Sequence, residues 1–158
     1  RAVLSRGGEA IDLTEDHKPN NPHELERIYR YTAELFKETG VYRVNGNLAV
    51  ARTIGDVHHR PWVSGEAEIR TIEIKRETDQ FVILASDGLW DVMSSEEAVQ
   101  YVHSIMARAI QAGSDCYTEE GLVSVTTLRK KKMASYLTDE AMRRGSMDNT
   151  TVAIVWLQ

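Results

Sequence analysis

The chain has 158 residues, of which 42% are hydrophobic and 27% are charged, a composition that fits one globular domain with a buried core. Its formal net charge of -5 at pH 7 gives the molecule no electrostatic reason to bind nucleic acid or an anionic membrane, so we expect neither partner. No stretch approaches the roughly 18 consecutive apolar residues of a membrane span, and the single cysteine, Cys116, cannot close an internal disulfide. These features favour a cytoplasmic or nuclear protein.

The chain opens with strand-like sequence rather than with a methionine. Residues 1–14 form two short runs around Gly7-Gly8, a pair that tolerates the positive φ angles of a tight turn, so they predict a β-hairpin. Because Arg1 is followed at once by strand-like residues, we expect the chain to be a piece of a longer protein.

A helix is predicted after a loop rich in proline and asparagine. Asn21 can cap this helix, Pro22 fits its first position, and apolar residues recur at helical spacing until Gly40. Further on, Asn45-Gly46 lies between alternating segments, which is the strongest short-range signal for a hairpin.

Strands and helices also alternate in the second half of the chain. Residues 67–75 alternate between apolar and polar side chains and predict a half-exposed strand, which we expect to pair with the apolar strand of residues 81–85. Ser94 and Glu97 then have the spacing of a capping box, and they predict the start of a helix that extends to about residue 110.

A second long helix is predicted from about residue 123 to residue 144, and the apolar run TTVAIVWL predicts a final strand. The basic residues 129–132 lie near the start of this helix, where the helix dipole does not favour cations. Two interpretations of this run stay open. It can form a solvated face, as most charged runs do, or it can contact a partner or a phosphorylated ligand.

Carboxylates follow one apolar strand and precede another. Asp87 comes two residues after the run FVILA, and Asp148 lies just before the run TTVAIVWL. If these strands are antiparallel neighbours, both carboxylates lie at the same edge of the sheet. Carboxylates without a thiolate or a convincing imidazole suit Mg²⁺ or Mn²⁺, and a pair of such ions can activate water and neutralise a phosphate.

A third carboxylate, Asp91, lies four residues after Asp87. One helical turn would return it to the same side, where it could orient a metal-bound water without touching the metal. A structural interpretation competes with this one, because Asp87-Gly88 is a common turn dipeptide and Asp148-Asn149 a common Asx turn. The spacing alone leaves both interpretations open.

Five segments of the chain, taken together, resemble one protein family. In chain order they are DHKPNNPHELERI, RVNG, LAVARTIGD, FVILASDGLWDVMS and RRGSMDNTTVAIV. They are similar to the C-terminal half of the metal-dependent protein serine/threonine phosphatases of type 2C, and the resemblance covers residues 1–155. It implies an α+β fold, a partial β-sandwich of two antiparallel sheets flanked by α-helices. It also implies hydrolysis of phosphoserine and phosphothreonine in proteins by a water that two Mg²⁺ or Mn²⁺ ions activate.

The resemblance also implies roles for individual residues. Asp87 and Asp148 correspond to metal ligands of the family, and Asp91 corresponds to the residue that positions a metal-bound water. The segment of residues 16–46 resembles the flap beside the active site, which influences substrate choice in this family. After its helix this segment lacks the usual Gly-Gly pair. The sequence therefore departs from the family pattern in the segment that influences substrate choice.

The first half of the family's sequence has no counterpart in this chain. That half carries an aspartate that bridges both metals, an arginine that binds the phosphate and a histidine that protonates the leaving group. We therefore expect residues 1–158 to be the C-terminal portion of one catalytic domain, with only part of the metal centre. Two functions stay open: part of a phosphatase that acts on phosphoproteins and is monomeric when complete, or a non-catalytic pseudophosphatase that serves as a regulatory binding module. The presence of all three aspartates favours the enzyme.

Overall fold

Strands from the beginning, the middle and the end of the chain meet in one sheet. The computed structural model describes residues 1–31, 34–38, 40–108, 116–118 and 121–158. The chain divides into two units, a smaller one of residues 15–70 and a larger one of residues 1–14 and 71–158.

The described residues contain eight strands and four α-helices. In chain order they are β1 (Ala2–Arg6), β2 (Glu9–Asp12), α1 (Pro22–Arg30), β3 (Leu35–Glu38), β4 (Val41–Val44), β5 (Asp79–Ala85), α2 (Asp87–Trp90), α3 (Ser95–Ala107), β6 (Cys116–Thr118), β7 (Gly121–Val123), α4 (Val125–Arg143) and β8 (Val152–Trp156). One turn of 3₁₀ helix covers Val57–His59.

The sheet of the larger unit has the strand order β2-β1-β5-β8, and every neighbouring pair is antiparallel. Gly7 and Gly8 have φ angles of 60° and 87°, which residues with a side chain rarely adopt, and they close the predicted hairpin of β1 and β2. β5 lies between β1 and β8, so both of its edges are hydrogen-bonded. A central position of this kind explains the continuous apolar sequence of β5.

Helices α3 and α4 cover one face of this sheet. Val3, Phe81 and Ile83 pack there in a single core with buried side chains of both helices. On the opposite face Leu4 is buried, whereas Leu84 and Val155 are 41% and 49% exposed. The helices therefore seal one side of the sheet, and apolar side chains remain accessible on the other.

Serine side chains cap the starts of α3 and α4. Ser94 Oγ accepts a hydrogen bond from Glu97 N at 3.1 Å, and Glu97 Oε2 accepts one from Ser94 N at 2.9 Å, which confirms the capping box. Ser124 caps α4 without a capping box, through a bond from Thr127 N to Ser124 Oγ of 3.2 Å, and the sequence signals did not mark this cap.

Two residues of the basic run have partners inside the larger unit. Arg129 Nη1 donates to the carbonyl oxygens of Met106 and Arg108, at 3.3 and 2.7 Å, at the end of α3. Lys130 Nζ donates to the Gln158 carbonyl oxygen and lies 5.0 Å from the ring centre of Trp156. These cations therefore bind the end of α3 and the residues that follow β8, a role that neither sequence interpretation included.

The smaller unit combines a small apolar core with a buried ion cluster. Its core consists of four buried side chains, Ile28, Val44, Ala51 and Val63. Glu24 is fully buried and pairs with Arg27 and with Arg52, whose Nη2 lies 2.6 Å from Glu24 Oε1. Burial alone would raise the pKa of the Glu24 carboxyl, but the hydrogen bonds from Arg52 and Arg27 outweigh it and hold the pKa below its ordinary value.

Two predicted elements are wrong. Residues 67–75 form no strand, because both edges of β5 are occupied and no other described strand pairs with this segment. The helix that begins at Pro22 ends at Arg30 rather than near Gly40, because β3 pairs with β4 on either side of Gly40.

The turn at Asn45-Gly46 is present, with φ angles of 48° and 72°, but it closes only a single bridge between Val44 and Leu48. The predicted α+β class, with antiparallel sheets and flanking helices, is confirmed. Among the described residues, no helix has the length and apolar character needed to cross a membrane.

Candidate metal centre

Two aspartates flank the paired ends of β5 and β8. Ala85, the last residue of β5, lies opposite Val152, the first residue of β8, in the antiparallel register. Asp87 follows the end of β5 and Asp148 precedes the start of β8, so both belong to the same end of the sheet. The two strands are antiparallel neighbours, which is the condition on which the expected meeting of the two carboxylates depends.

Hydrogen bonds join the two segments beyond the strand ends. Ser86 N donates to the Thr151 carbonyl oxygen at 3.0 Å. Ser86 Oγ donates to the Asn149 carbonyl oxygen at 3.1 Å and accepts from Thr151 N at 3.0 Å. The pairing of β5 with β8 is thus continued towards the aspartates by a serine side chain.

Gly88 allows the two segments to approach more closely than a residue with a side chain would. A Cβ atom at this position would lie 2.6 Å from Thr150 Oγ1 and 2.7 Å from the Asn149 carbonyl oxygen, which is closer than real Cβ atoms come. The Gly88 carbonyl oxygen accepts a hydrogen bond from Ser146 Oγ at 2.7 Å. Asp87 and Gly88 therefore begin a helical turn, and Gly88 makes a close contact with the segment before β8. A turn in a surface loop would need neither feature.

The single turn of α2 determines the position of Asp91. Asp91 N donates to the Asp87 carbonyl oxygen at 2.9 Å, so Asp91 lies one helical turn beyond Asp87. Trp90 is buried in the core of the larger unit, and its Nε1 donates to the Ala85 carbonyl oxygen at 2.9 Å. This anchor fixes the turn to the end of β5.

The side chains of Asp87, Asp91 and Asp148 are exposed. Asp148 Oδ1 accepts a hydrogen bond from Asn149 N at 2.7 Å, whereas no described group donates to the carboxylates of Asp87 and Asp91. Carboxylate oxygens in this state suit hard divalent cations. Within the described ranges, no group of three or more His, Cys, Asp or Glu side chains is arranged to hold a metal. Because their carboxylates are exposed, Asp87 and Asp148 fit part of a ligand set for Mg²⁺ or Mn²⁺. Their roles as metal ligands stay predictions.

An ion-pair network that was not predicted from the sequence connects the end of α4 with the start of α3 and with the residues that follow α2. Arg144 Nε donates to Glu140 Oε1 at 2.9 Å, and Arg144 Nη1 donates to Glu97 Oε1 at 2.7 Å and to the Val92 carbonyl oxygen at 3.3 Å. Hydrogen bonds from Arg143 and Arg144 lower the pKa of the Glu140 carboxyl to about 2. The spacing of Glu140 and Arg144 on one helix face could have revealed their pair, but not the contacts with Glu97 and Val92.

Comparisons of the sequence with known proteins point to one family. The family model described as Protein phosphatase 2C matches residues 1–150. The chain is 40% identical over 158 residues to probable protein phosphatase 2C 8 of Oryza sativa subsp. japonica, an alignment that covers 100% of this chain and 37% of the rice protein. It is 35% identical over 164 residues to protein phosphatase 1B of Homo sapiens, covering 98% of this chain and 29% of the human protein.

A solved structure shows the same likeness in three dimensions. The structure of a C. elegans sex determining protein matches with a TM-score of 0.83 and 27% sequence identity, over 99% of this chain and 34% of that one. The chain thus spans roughly a third of the length of these proteins. The match of the family model to nearly the whole chain shows that this chain belongs to the protein phosphatase 2C family.

Proposed function

We propose that this chain is part of a protein phosphatase that hydrolyses phosphoserine and phosphothreonine in proteins and depends on two Mg²⁺ or Mn²⁺ ions. The observation that carries the proposal is the joining of the Asp87 and Asp148 segments at one end of the sheet, through Ser86 and the close approach at Gly88. Membership of the protein phosphatase 2C family supports the reaction class, since relatives are named protein phosphatases.

Each aspartate has a role in this proposal. Asp87 and Asp148 would hold the ions through exposed carboxylate oxygens that described donors leave largely free. When bound, the ions would supply the Lewis acidity that makes water a nucleophile near neutral pH, and they would offset the charge of the phosphate. Asp91, which lies one turn beyond Asp87, would accept a hydrogen bond from the reacting water and so orient it. The proposal requires further ligands, because the described residues supply no group of three or more metal-binding side chains.

The segment of residues 16–46, predicted to be a flap, belongs to the smaller unit. Tyr29, Tyr31 and Phe36 are exposed in this segment. Large aromatic side chains provide much contact area for binding a polypeptide, which supports a role for the segment in choosing the phosphoprotein substrate.

Hydrolysis of a phosphothreonine peptide in the presence of Mn²⁺ tests the proposal. The isolated chain and the full-length protein are compared, each with the variants Asp87→Asn and Asp139→Asn. Asp139 is exposed on α4, so its variant is a control for the same chemical change outside the site. We expect Asp87→Asn to lower the metal-dependent rate of the full-length protein by at least about 100-fold, because a lost ligand removes several kcal/mol of charge stabilisation, and Asp139→Asn to leave it unchanged.

One result would count against the ligand assignment, and another would count against the enzymatic function. Metal-dependent hydrolysis that survives Asp87→Asn would mean that Asp87 holds no ion. A full-length protein that binds Mn²⁺ without hydrolysing the peptide would favour the regulatory binding module.

A further inference from the structure

The carbonyl group of Gly88 depends on a side chain for its hydrogen bond. α2 is a single turn, and the N–H groups of Val92 and Met93 both donate to the Leu89 carbonyl oxygen, at 3.2 and 3.1 Å. Gly88 is buried, and its carbonyl oxygen accepts instead from Ser146 Oγ at 2.7 Å. Because a buried carbonyl at a helix end is costly without a partner, the Ser146 hydroxyl satisfies a real requirement of the α2 turn.

Ser146 is itself held by the end of α4. Gly145 N donates to the Met142 carbonyl oxygen and Ser146 N donates to the Ala141 carbonyl oxygen, both at 3.0 Å. Gly145 has a φ of 93°. These features form a Schellman motif, which fixes the backbone just beyond a helix. The position of the Ser146 hydroxyl is therefore determined by the 19-residue helix α4.

The contact joins the backbone beside each of the two predicted ligands. Gly88 directly follows Asp87, and Ser146 lies two residues before Asp148. On one side of the pair the segments are joined through Ser86, and on the other through Ser146. With both contacts made, neither segment can shift along the other.

We propose that Ser146 is a positioning residue for the metal centre, whose hydrogen bond to the Gly88 carbonyl sets the separation of Asp87 from Asp148. The inference rests on the proposed function, since it takes both aspartates as metal ligands. Without the hydroxyl, the Gly88 carbonyl is buried without this partner and the two segments lose one of their contacts. The ligands are then no longer held at the spacing that the ions require.

Mn²⁺ binding to the full-length protein tests this role, with free Mn²⁺ measured by electron paramagnetic resonance. We expect Ser146→Ala to weaken Mn²⁺ binding by about 10-fold or more, as changes to the groups that support metal ligands do. Ser146→Thr keeps a hydroxyl at the same place and restores the affinity. In peptide hydrolysis, the Mn²⁺ concentration for half-maximal rate rises in Ser146→Ala, while KM for the peptide at saturating Mn²⁺ stays the same.

A matched control separates positioning from general stability. Val102 is fully buried on α3 in the core of the larger unit, so Val102→Ala lowers the melting temperature while it removes neither the Ser86 nor the Ser146 hydrogen bond. We expect Val102→Ala to bind Mn²⁺ as the wild type does. Equal weakening by Val102→Ala and Ser146→Ala would overturn the inference, and so would unchanged binding by Ser146→Ala.

The experiment also decides the question if Ser146→Ala does not fold or if the wild type binds no Mn²⁺. If Ser146→Ala does not fold, Ser146→Cys takes its place, because a thiol is a weaker donor of similar size. Unchanged affinity in Ser146→Cys then overturns the inference, and weakened affinity supports it. A wild type that binds no Mn²⁺ removes the proposed function together with this inference. A wild type that binds Mn²⁺ beside an unaffected Ser146→Ala overturns the inference alone.

Discussion

Replacing Gly88 with alanine sets two physical effects against each other. Gly88 lies in the helical turn α2, where alanine is intrinsically preferred to glycine by about 1 kcal/mol. The added Cβ would, however, lie 2.6 Å from Thr150 Oγ1 and 2.7 Å from the Asn149 carbonyl oxygen. The second of these atoms belongs to the backbone and cannot rotate away. The segment must therefore move by roughly 0.7 Å to change 2.7 Å into the 3.4 Å of ordinary contact.

The contact effect is the larger of the two. Overpacking of this kind costs about 1–3 kcal/mol, and the helix preference offsets about 1 kcal/mol at most. The difference is a net loss in the free energy of unfolding of up to about 2 kcal/mol, which we expect for Gly88→Ala. The segment that must move carries Asp148, so we also expect Mn²⁺ affinity of the full-length protein to fall by about 10-fold or more.

Urea unfolding followed by circular dichroism measures the first effect, and Mn²⁺ titration measures the second. Gly65→Ala is the control, because Gly65 is exposed and the three atoms nearest its added Cβ all belong to the guanidinium end of the Arg60 side chain, which can move aside. A Gly88→Ala protein as stable as the wild type, or more stable, would show that helix preference dominates. Unchanged Mn²⁺ affinity would refute the link between this contact and the metal centre.

Two further predictions concern buried carboxylates. Glu24→Gln leaves two arginines beside a neutral buried side chain, so we expect urea unfolding to show a loss of about 3–5 kcal/mol. Glu26→Gln removes only an exposed ion pair and should change stability by less than about 1 kcal/mol; equal losses would contradict the reasoning. The pKa of the Glu140 carboxyl falls from 4.5 to about 2 on folding, so its ion pairs stabilise the protein above about pH 4.5 and this stabilisation is lost as the pH falls towards 2. Melting temperatures measured from pH 7 to pH 2 should fall less steeply in Glu140→Gln, and a profile identical to that of the wild type would refute this assignment.

Sequence signals that act over a few residues predicted the structure well. The capping box of Ser94 and Glu97 and the turn at Gly7-Gly8 are decided by neighbours within four positions, so the rest of the chain has little influence on them. The pairing of β5 with β8 could also be anticipated, because two apolar strands in one small unit have few other partners.

Features that depend on distant partners could not be predicted in the same way. The alternation in residues 67–75 is suited to a strand, but both edges of β5, the expected partner, are occupied by β1 and β8. The apolar spacing after Pro22 fitted a long helix, yet Leu35–Glu38 pairs with the strand that follows it. The bond from Ser146 to Gly88 spans 58 positions, and nothing in the sequence near Ser146 indicates its partner.

The bond between Ser146 and Gly88 also affects how the site fluctuates. Ser146 is part of the motif that ends α4, so the last turn of this helix cannot fray without releasing the turn that follows Asp87. α4 is anchored in the core by Met133, Leu137 and Ala141, and its end therefore opens only with a larger cooperative unit. The Ser146 amide, which donates to the Ala141 carbonyl oxygen, and the Asp91 amide, which donates to the Asp87 carbonyl oxygen, should then exchange hydrogen at the slow rate of the helix rather than at the fast rate of exposed loops.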